Sequence, residues 1–257
     1  MDARIAEFQD EVWAYYREYG RDLPWRHDPT PYEVVVSEIM LQQTQVTRVL
    51  ERFPRWLARF PNFDALASAP LSDVLDEWQG MGYNRRAIWL QKIAVSVVND
   101  YNGELPGSSS ELQKLNGIGP NTAGSIAAFA FNAPVTFIET NIRRVYLHTF
   151  FADQVSVDDK QLLPIITASV SQDAAREWYY ALMDYGSHLA KQMPNPNRRS
   201  KHYTVQSIFE GSLRQIRGEV LRRLLTGVEL PFNDQRLPVV LEQLEHEGFL
   251  QDGKLAA

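Results

Sequence analysis

The chain has 257 residues, of which 44% are hydrophobic and 23% are charged, and this composition excludes disorder as its main state. A chain of this length buries enough surface to fold without a disulfide or a structural metal. It contains no cysteine, which excludes a disulfide framework, thiolate zinc sites, cysteine-ligated iron–sulfur clusters and a catalytic thiol.

The formal net charge is −6 and the isoelectric point is near 5.4, but the charges are unevenly distributed. Between residues 191 and 223, eight basic residues stand against two acidic ones. A basic face on an acidic body is suited to binding phosphate groups. A solvated charged helix explains the same charges equally well.

Residues 1–19 mix acidic with apolar side chains and lack the basic start and apolar core of a signal peptide. No window approaches the run of about 18 uncharged apolar residues that a membrane span needs. We therefore expect a cytoplasmic protein without a membrane partner.

Apolar residues recur at spacings of three and four along most of the chain, and this period predicts an all-α body. In chain order, the predicted helices cover residues 5–19, 32–53, 71–78, 86–101, 122–131, 141–150 and 161–185. Prolines stand between several of these segments, which fits helix ends.

The C-terminal residues differ in kind from the body. Residues 211–225 and 236–248 read as two helices, and residues 249–255 read as two short strands around a turn at Asp252 and Gly253. This order is typical of a winged-helix module. A helical hairpin that packs on the body is the alternative. We expect a main domain over residues 1–210 and a winged-helix-like extension over residues 211–257.

Two glycines, Gly117 and Gly119, lie in the segment Leu115-Asn116-Gly117-Ile118-Gly119-Pro120-Asn121-Thr122. They predict a tight turn at a helix start, where outward backbone N–H groups can hold a phosphate. The backbone carbonyls of Leu115, Gly117 and Ile118 can hold a monovalent cation. An ordinary helix–helix turn is the alternative for such a pair of glycines alone.

The flanking Leu115 and Thr122-Ala123 make this segment resemble the helix-hairpin-helix motif of DNA repair glycosylases. Four further stretches resemble the adenine-specific mismatch DNA glycosylase (MutY) family in order and spacing, and the resemblance runs from about residue 8 to residue 190. These stretches are Leu23-Pro24-Trp25-Arg26, the run from Pro31-Tyr32 into Ser37-Glu38-Ile39-Met40-Leu41-Gln42-Gln43-Thr44, Gly80-Met81-Gly82-Tyr83, and Asn141-Ile142-Arg143-Arg144-Val145. The resemblance implies a two-lobed helix-hairpin-helix glycosylase fold and double-stranded DNA with a mismatch or lesion as the partner.

Cleavage of an N-glycosidic bond needs a proton for the departing base and a negative charge near the cationic sugar, and two carboxyl groups meet that need. Glu38 lies between Val36 and Ile39, where burial would keep it protonated as a general acid. The resemblance assigns it proton delivery to adenine; a solvated surface Glu is the alternative.

The second carboxyl group departs from the family, because Glu139 stands where relatives carry Asp. The extra methylene moves the carboxylate by about 1.5 Å, and electrostatic stabilisation depends on placement at that scale. We expect Glu139 to stabilise the sugar cation. The alternative is an acid at a helix N-terminus that interacts with the helix dipole, in a protein with weakened activity.

Asn121 decides the reaction type, because it lies at the position of the nucleophilic Lys of the related lyases. An amide cannot form a Schiff base, so we expect hydrolytic, monofunctional base excision without lyase activity. Asn121 can orient the water or contact the base; a structural role in the first helical turn is equally compatible.

The resemblance also implies contacts with DNA. Gln42 and Tyr83 match the residues that fill the gap left by a flipped base, with Gln43 beside them. We expect phosphate or backbone contacts from Arg26, Gly117, Gly119, Thr122, Arg143, Arg198, Arg199 and Lys201. The alternatives are a routine polar helix face for the glutamines, a packing anchor for Tyr83, and surface ion pairs for the arginines.

The sequence lacks the four cysteines of the family's iron–sulfur cluster, and we expect it to lack the C-terminal domain that reads oxidised guanine, for which the 47 residues from Gly211 are too few. We expect no cofactor apart from the monovalent cation, and a monomer that acts at the bacterial nucleoid on adenine opposite guanine or 8-oxoguanine. A uracil or thymine mismatch glycosylase and a catalytically weak lesion-binding protein remain open.

Overall fold

A computed structural model describes residues 2–230 and 233–256, which form a predominantly helical protein. The helices are α1 (Asp2–Tyr19), α2 (Pro31–Leu41), α3 (Val46–Arg59), α4 (Phe63–Ala67), α5 (Leu71–Glu77), α6 (Arg85–Asp100), α7 (Ser109–Leu112), α8 (Pro120–Phe131), α9 (Thr140–Phe150), α10 (Asp159–Ser169), α11 (Ala175–Gln192), α12 (Leu213–Thr226) and α13 (Leu237–His246). One small antiparallel sheet pairs β1 (Leu250–Gln251) with β2 (Lys254–Leu255). The predicted all-α class is confirmed.

The described residues group into two compact units. The first unit comprises those within Met1–Val34, Gly107–Lys114 and Ile118–Val205, and the second those within Val35–Pro106, Leu115–Gly117 and Gln206–Ala257. The C-terminal residues thus belong to the second unit. The predicted domain boundary at residues 210–211 falls within that unit and stays a prediction.

Aromatic packing fills the core of the first unit. Phe8 of α1 meets Tyr146 of α9 at 5.2 Å and Trp178 of α11 at 5.8 Å between ring centroids, both edge to face. The Tyr146 hydroxyl forms a 2.5 Å hydrogen bond with Ser169 Oγ, and burial raises the pKa of Tyr146. This contact fixes the last turn of α10 against α9.

The prediction of one helix over residues 161–185 is wrong, because α10 ends at Ser169 and α11 begins at Ala175. Val170 is extended (φ −68°, ψ 133°), and Ser171 Oγ accepts a 3.1 Å hydrogen bond from Ala174 N. A local side-chain bond to the backbone competes with the helix at this point. The apolar period continues across the break, so periodicity alone did not reveal it.

The prediction of one helix over residues 32–53 is also wrong, because the chain turns between α2 and α3 at residues 42–45. Arg86 of α6, only 4% exposed, donates to the carbonyls of Ile39 (2.7 Å) and Met40 (3.0 Å) at the end of α2. These carbonyls are groups that a helix end leaves without an intrahelical partner.

The Nη2 atom of Arg86 binds both this turn and a second turn, which precedes α6. It donates to Thr44 Oγ1 (3.1 Å) and to the carbonyls of Met81 (3.1 Å) and Gly82 (2.9 Å). Burial lowers the pKa of Arg86 to about 10, which leaves the guanidinium charged at neutral pH. One buried arginine therefore fixes both turns that carry the predicted DNA wedge.

The C-terminal segment has the predicted order of two helices followed by a hairpin. The Ser212 side chain caps α12, and Gly227 ends it in the left-handed conformation (φ 67°). The register of the hairpin pairs Leu250 with Leu255, and Phe249 is fully buried beside it. The winged-helix-like element order is confirmed.

In the part of the chain that the structure describes, no helix is both long enough and apolar enough to cross a bilayer.

Replacement of Arg86 by methionine tests its role. Arg86→Met leaves several buried carbonyls without a donor, and we expect a loss of about 3 kcal/mol in the free energy of unfolding, measured by urea denaturation. The matched control is Arg85→Met, which removes a partly exposed ion pair with Glu247 and is expected to cost less than about 1 kcal/mol. Equal losses in the two variants would contradict this account.

Candidate functional site

Gly117 lies in the turn between α7 and α8 in a conformation that requires glycine. Its φ is +74°, and a Cβ placed on it would lie 2.4 Å from Cε3 of the Trp89 ring. Both the backbone angle and the close approach of the indole exclude a side chain here. The sequence predicts glycine here because the turn is tight, and the contact with Trp89 gives a second reason for glycine.

Gly119 is the N-cap of α8, with Pro120 as the first helical residue. No side chain caps this helix start, and a Cβ on Gly119 would meet nothing within 4 Å. The N-terminus of a twelve-residue helix is therefore open to close approach by a ligand. Backbone N–H groups at such a position favour an anion.

Glu139 is the N-cap of α9. Its Oε2 accepts a 2.6 Å hydrogen bond from Asn141 N, and its Oε1 accepts a 3.0 Å hydrogen bond from Asn141 Nδ2. Burial raises the pKa of Glu139, and the backbone N–H bonds and nearby Arg144 and Arg143 oppose that rise. The helix-terminal arrangement expected as the alternative is present, and it also fixes both carboxylate oxygens in place.

Asn121, the second residue of α8, contacts the segment that carries Glu139. Its Oδ1 accepts a 3.1 Å hydrogen bond from the N–H of Ile138, the residue before Glu139. The structure therefore brings Asn121 to the segment that carries Glu139. The structural role expected as the alternative for Asn121 is present, since its side chain is bonded to the backbone.

A second set of polar side chains holds Asn141 and the first turn of α9, to which Glu139 is bonded. Arg144, which is buried, donates to Asn141 Oδ1 (2.6 Å), Gly186 O (2.8 Å) and Asn195 Oδ1 (3.3 Å). Buried Asn197 donates from Nδ2 to Thr140 O (3.0 Å). The first turn of α9 is thus tied to the loop that follows α11.

This loop is the segment in which the sequence resemblance implies an iron–sulfur cluster. The whole chain has no cysteine, so its donor set does not fit a thiolate-ligated cluster. In place of thiolates, the loop contributes the amides of Asn195 and Asn197, and Arg199 donates to Leu147 O (3.2 Å) of α9. Among the described residues, no group of three or more His, Asp or Glu could hold a metal ion.

Glu38 lies on α2, in the second unit, whereas Asn121 and Glu139 lie in the first. It is half-buried, and Val36 and Ile39 beside it are fully buried. This environment matches the apolar helix that the sequence predicts. The convergence of Glu38 with Glu139 stays a prediction.

Gln42, Gln43 and Tyr83 lie on the two turns that Arg86 holds. Gln43 (φ 55°) and Tyr83 (φ 48°) both have left-handed backbone conformations, each of which costs a non-glycine residue about 1–3 kcal/mol. Tyr83 is 39% exposed, and the Arg86 guanidinium lies 5.7 Å from its ring centroid. Strain of this kind is typical of residues that are held for function.

The predicted phosphate contacts of Arg26 and Arg143 meet carboxylates instead. Arg26 makes two 2.9 Å bonds to the carboxylate of Asp184 and lies over the Tyr180 ring, with its centroid 4.4 Å away. Arg143 binds Asp159 at 2.8 and 2.6 Å. These buried and half-buried ion pairs favour structural roles for both arginines, and their phosphate contacts stay a prediction.

The predicted basic face of residues 191–223 is divided between the two units. In the first unit, Arg198 is exposed and Lys201 pairs with Asp158 at 3.4 Å. In the second unit, Arg217 pairs with Glu247, and Arg222 and Arg223 pair with Glu219. Much of the positive charge is therefore neutralised locally.

Sequence reasoning missed the supporting residues Arg86, Asn195 and Asn197. Arg86 had a usable signal, because it falls in helical register with the buried Leu90, Ile93 and Val97 of α6. An arginine on an apolar helix face must find buried acceptors. The two asparagines had no such signal, because their partners, the Arg144 side chain and the Thr140 carbonyl, are distant in the sequence.

The all-helical fold and the glycine turn define a helix-hairpin-helix protein, and the sequence matches the HhH-GPD superfamily base excision DNA repair protein family over residues 36–163. The adenine DNA glycosylase of Mycobacterium tuberculosis (strain ATCC 25618 / H37Rv) is 33% identical over 255 residues, which cover 88% of this chain and 81% of that protein. Because this chain covers more than two thirds of a relative at that identity, it belongs to the adenine DNA glycosylase family within this superfamily.

Other relatives are longer. The adenine DNA glycosylase of Buchnera aphidicola subsp. Baizongia pistaciae (strain Bp) is 33% identical, with 81% of this chain and 60% of that protein covered. The adenine DNA glycosylase of Mus musculus is also 33% identical, with 85% of this chain and 44% of that protein covered. This chain thus spans less than two thirds of the length of either relative.

Solved structures share the fold. A thermostable thymine-DNA glycosylase aligns with a TM-score of 0.66 at 24% identity, covering 72% of this chain and 87% of that one. A non-covalent endonuclease III–DNA complex aligns with a TM-score of 0.64 at 20% identity, covering 76% and 90%. These likenesses confirm the helix-hairpin-helix glycosylase fold.

The two glycines of the turn are expected to respond differently to alanine. Gly117→Ala forces a side chain into Trp89 at a positive φ, and we expect it to lower the free energy of unfolding by about 2 kcal/mol or more. Gly119→Ala adds a Cβ in open space and is expected to stay within about 0.5 kcal/mol of the parent, while DNA affinity falls because the Cβ blocks phosphate approach. Denaturation and fluorescence anisotropy measure the two effects; unchanged affinity in a folded Gly119→Ala would contradict the phosphate role.

Proposed function

We propose that this protein is a monofunctional adenine DNA glycosylase that flips and hydrolyses adenine paired with guanine or 8-oxoguanine. The observation that carries the proposal is the anchored carboxylate of Glu139, held at the start of α9 by Asn141 and linked to Asn121 through Ile138. Membership in the adenine DNA glycosylase family supports it independently. As a base excision repair protein, it acts on DNA.

In the proposed reaction, Glu38 donates its proton to the adenine while the bond between the base nitrogen and the sugar C1′ breaks. The electron pair of that bond leaves with the base, and the sugar becomes cationic. The fixed carboxylate of Glu139 stabilises this cation. A water oxygen then bonds to C1′ and loses a proton, which gives free adenine and an abasic site.

Asn121 shapes the outcome of this reaction. An amide cannot form a Schiff base with the sugar, so the DNA strand is left intact. Its side-chain oxygen is engaged with Ile138 N, while the amide N–H groups remain chemically suited to orient the attacking water. We assign it a positioning role for the segment that carries Glu139.

The proposed grip on DNA has two parts. The N-terminus of α8, which no side chain caps, binds a phosphate through backbone N–H groups, with Gly117, Gly119 and Thr122 forming the approach. Gln42, Gln43 and Tyr83 occupy the space of the flipped base. We extend the proposal to a monovalent cation at the carbonyls of Leu115, Gly117 and Ile118, and to a monomer that works at the nucleoid in the cytoplasm.

An excision assay tests the proposal. Labelled duplexes carrying A:G, A:8-oxoguanine, U:G or T:G are incubated with the protein and then treated with alkali. We expect alkali-sensitive sites at the adenine duplexes alone, because the chain belongs to the adenine-directed family. Binding without such sites would favour a lesion-binding protein, breaks at U:G or T:G would favour a pyrimidine glycosylase, and breaks before alkali would contradict the absence of lyase activity.

Glu38→Gln separates chemistry from binding in the same assay. The amide cannot deliver a proton, so we expect the excision rate to fall by at least about 100-fold with DNA affinity retained. Glu33→Gln, on the first turn of the same helix, is the matched control and should leave the rate unchanged. An unchanged rate in Glu38→Gln would remove Glu38 from the acid role.

The raised pKa of Glu139 predicts the acid side of the pH profile. Protonation on lowering the pH removes the negative charge that stabilises the sugar cation, so single-turnover rates should fall with a midpoint above the ordinary Glu pKa of 4.5. The control Asp158→Asn, at the N-cap of α10, should leave this fall in rate at low pH unchanged. Glu139→Gln should abolish the pH-dependent fall together with most of the activity. A midpoint at or below 4.5 would rule out Glu139 as the group that must be ionised.

A further inference from the structure

The second unit contains an open groove with a volume of about 1170 Å³. One wall is formed by the two turns that Arg86 holds, and the other by the C-terminal segment, which is taken here from residue 206 so that it includes the residues before α12. We call it the tail groove and define it by six lining residues: Gln42, Gln43, Tyr83, Gln206, Phe209 and Arg214. The C-terminal segment thus faces the residues assigned to the DNA wedge.

Hydrogen bonds connect the two walls. Gln206 Nε2 donates to Gln43 Oε1 (3.2 Å) and to the Tyr83 hydroxyl, and Arg214 Nη1 donates to the same hydroxyl (2.7 Å). Arg214 also donates to Ser207 O (2.7 Å), which fixes its guanidinium above the groove. These contacts give the C-terminal segment a defined orientation toward Tyr83.

The charge of the groove favours an anionic occupant. Glu247 is its one acidic lining residue among those described, and it is held by Arg85 and Arg217. Two lining arginines, Arg48 and Arg214, pair with no carboxylate in residues 2–230 and 233–256. An unbalanced guanidinium on each side suits phosphate groups.

The remaining groups of the groove suit a nucleobase. The Arg214 guanidinium lies 5.7 Å from the centroid of Tyr83 and 6.0 Å from that of Phe209, and amides of Gln42, Gln43 and Gln206 line the same space. Aromatic faces, guanidinium planes and amides are the groups that bind unstacked bases. The volume exceeds the range of about 300–1,000 Å³ that buries a drug-sized ligand, so a whole nucleotide fits.

We propose that the tail groove binds the unpaired nucleotide of the strand opposite the excised base, with Gln206 and Arg214 as specificity-determining residues. The proposal rests on the proposed function, because Tyr83 reaches that strand only if the protein flips a base. A purine stacks against Tyr83 and Phe209, the amides contact its edge, and Arg48 and Arg214 contact the flanking phosphates. The extension thereby contributes to the choice of base pair.

The test measures binding without chemistry. A duplex carries an uncleavable tetrahydrofuran abasic site opposite 2-aminopurine, whose fluorescence depends on the groups against which it stacks. We expect wild-type binding to change this fluorescence, because the base exchanges its neighbouring bases for Tyr83 and Phe209. Arg214→Ala is expected to weaken binding about tenfold, to lower the salt slope of the affinity by about 1, and to suppress the fluorescence change. Gln206→Ala is expected to suppress the fluorescence change with a smaller effect on affinity. Arg236→Ala, which removes an arginine paired with Asp234 outside the groove, is the matched control and should match wild type.

Two results would overturn the proposal. Affinity, salt slope and fluorescence equal to wild type in folded Arg214→Ala and Gln206→Ala would show that the groove does not meet DNA. Tighter binding by these variants would show that the segment covers the wedge and must leave it. Excision of adenine from A:8-oxoguanine by the wild-type protein, measured separately, distinguishes the two proposals. If the protein excises adenine but its DNA binding does not depend on Arg214, only the groove proposal is wrong. If DNA binding depends on Arg214 but no adenine is excised, the glycosylase proposal is wrong.

Discussion

A charge buried in this helical protein needs a partner, and the buried charges that support the site find theirs at helix ends and in turns. Arg86 satisfies it with carbonyls at the end of α2 and in the turn before α6. Glu139 satisfies it with the N–H of Asn141, and Arg144 with Gly186 O and Asn141. Each pairing fixes a turn that helix packing alone would leave loose.

The same constraint accounts for the direction of the Glu139 carboxylate, at the position where the sequence resemblance implies Asp. The longer side chain folds back on its own helix start, where Asn141 binds one oxygen through its backbone and the other through its amide. Arg144 holds Asn141 from the opposite side, and Asn197 holds the carbonyl of Thr140. The extra methylene is therefore accommodated without losing a defined direction for the carboxylate.

Much of the fold could be predicted from the sequence, because period and motif report on local structure. The helices around Gly117–Pro120, the winged-helix-like order of the C-terminal segment and the N-cap position of Glu139 all follow from residues close together in the chain. The breaks at residues 42–45 and 170–174 could not be predicted, because the apolar period runs through them. Arg86 binds the carbonyls at the first break although it lies 46 and 47 residues away from them in the sequence, and a distant side chain leaves no mark on local periodicity. For the same reason, the sequence could not show that Arg26 binds Asp184 and that Arg143 binds Asp159, and both arginines were equally compatible with phosphate contacts.

The left-handed backbone of Gln43 and Tyr83 has a consequence for anyone who engineers this protein. Glycine at either position would relieve the strain, and a search for heat-resistant variants would select it. The relaxed turns would then lose the side chains that face the groove and the rigidity that presents them. At these two residues, a gain in thermal stability is therefore opposed to a fixed presentation of the side chains that line the groove.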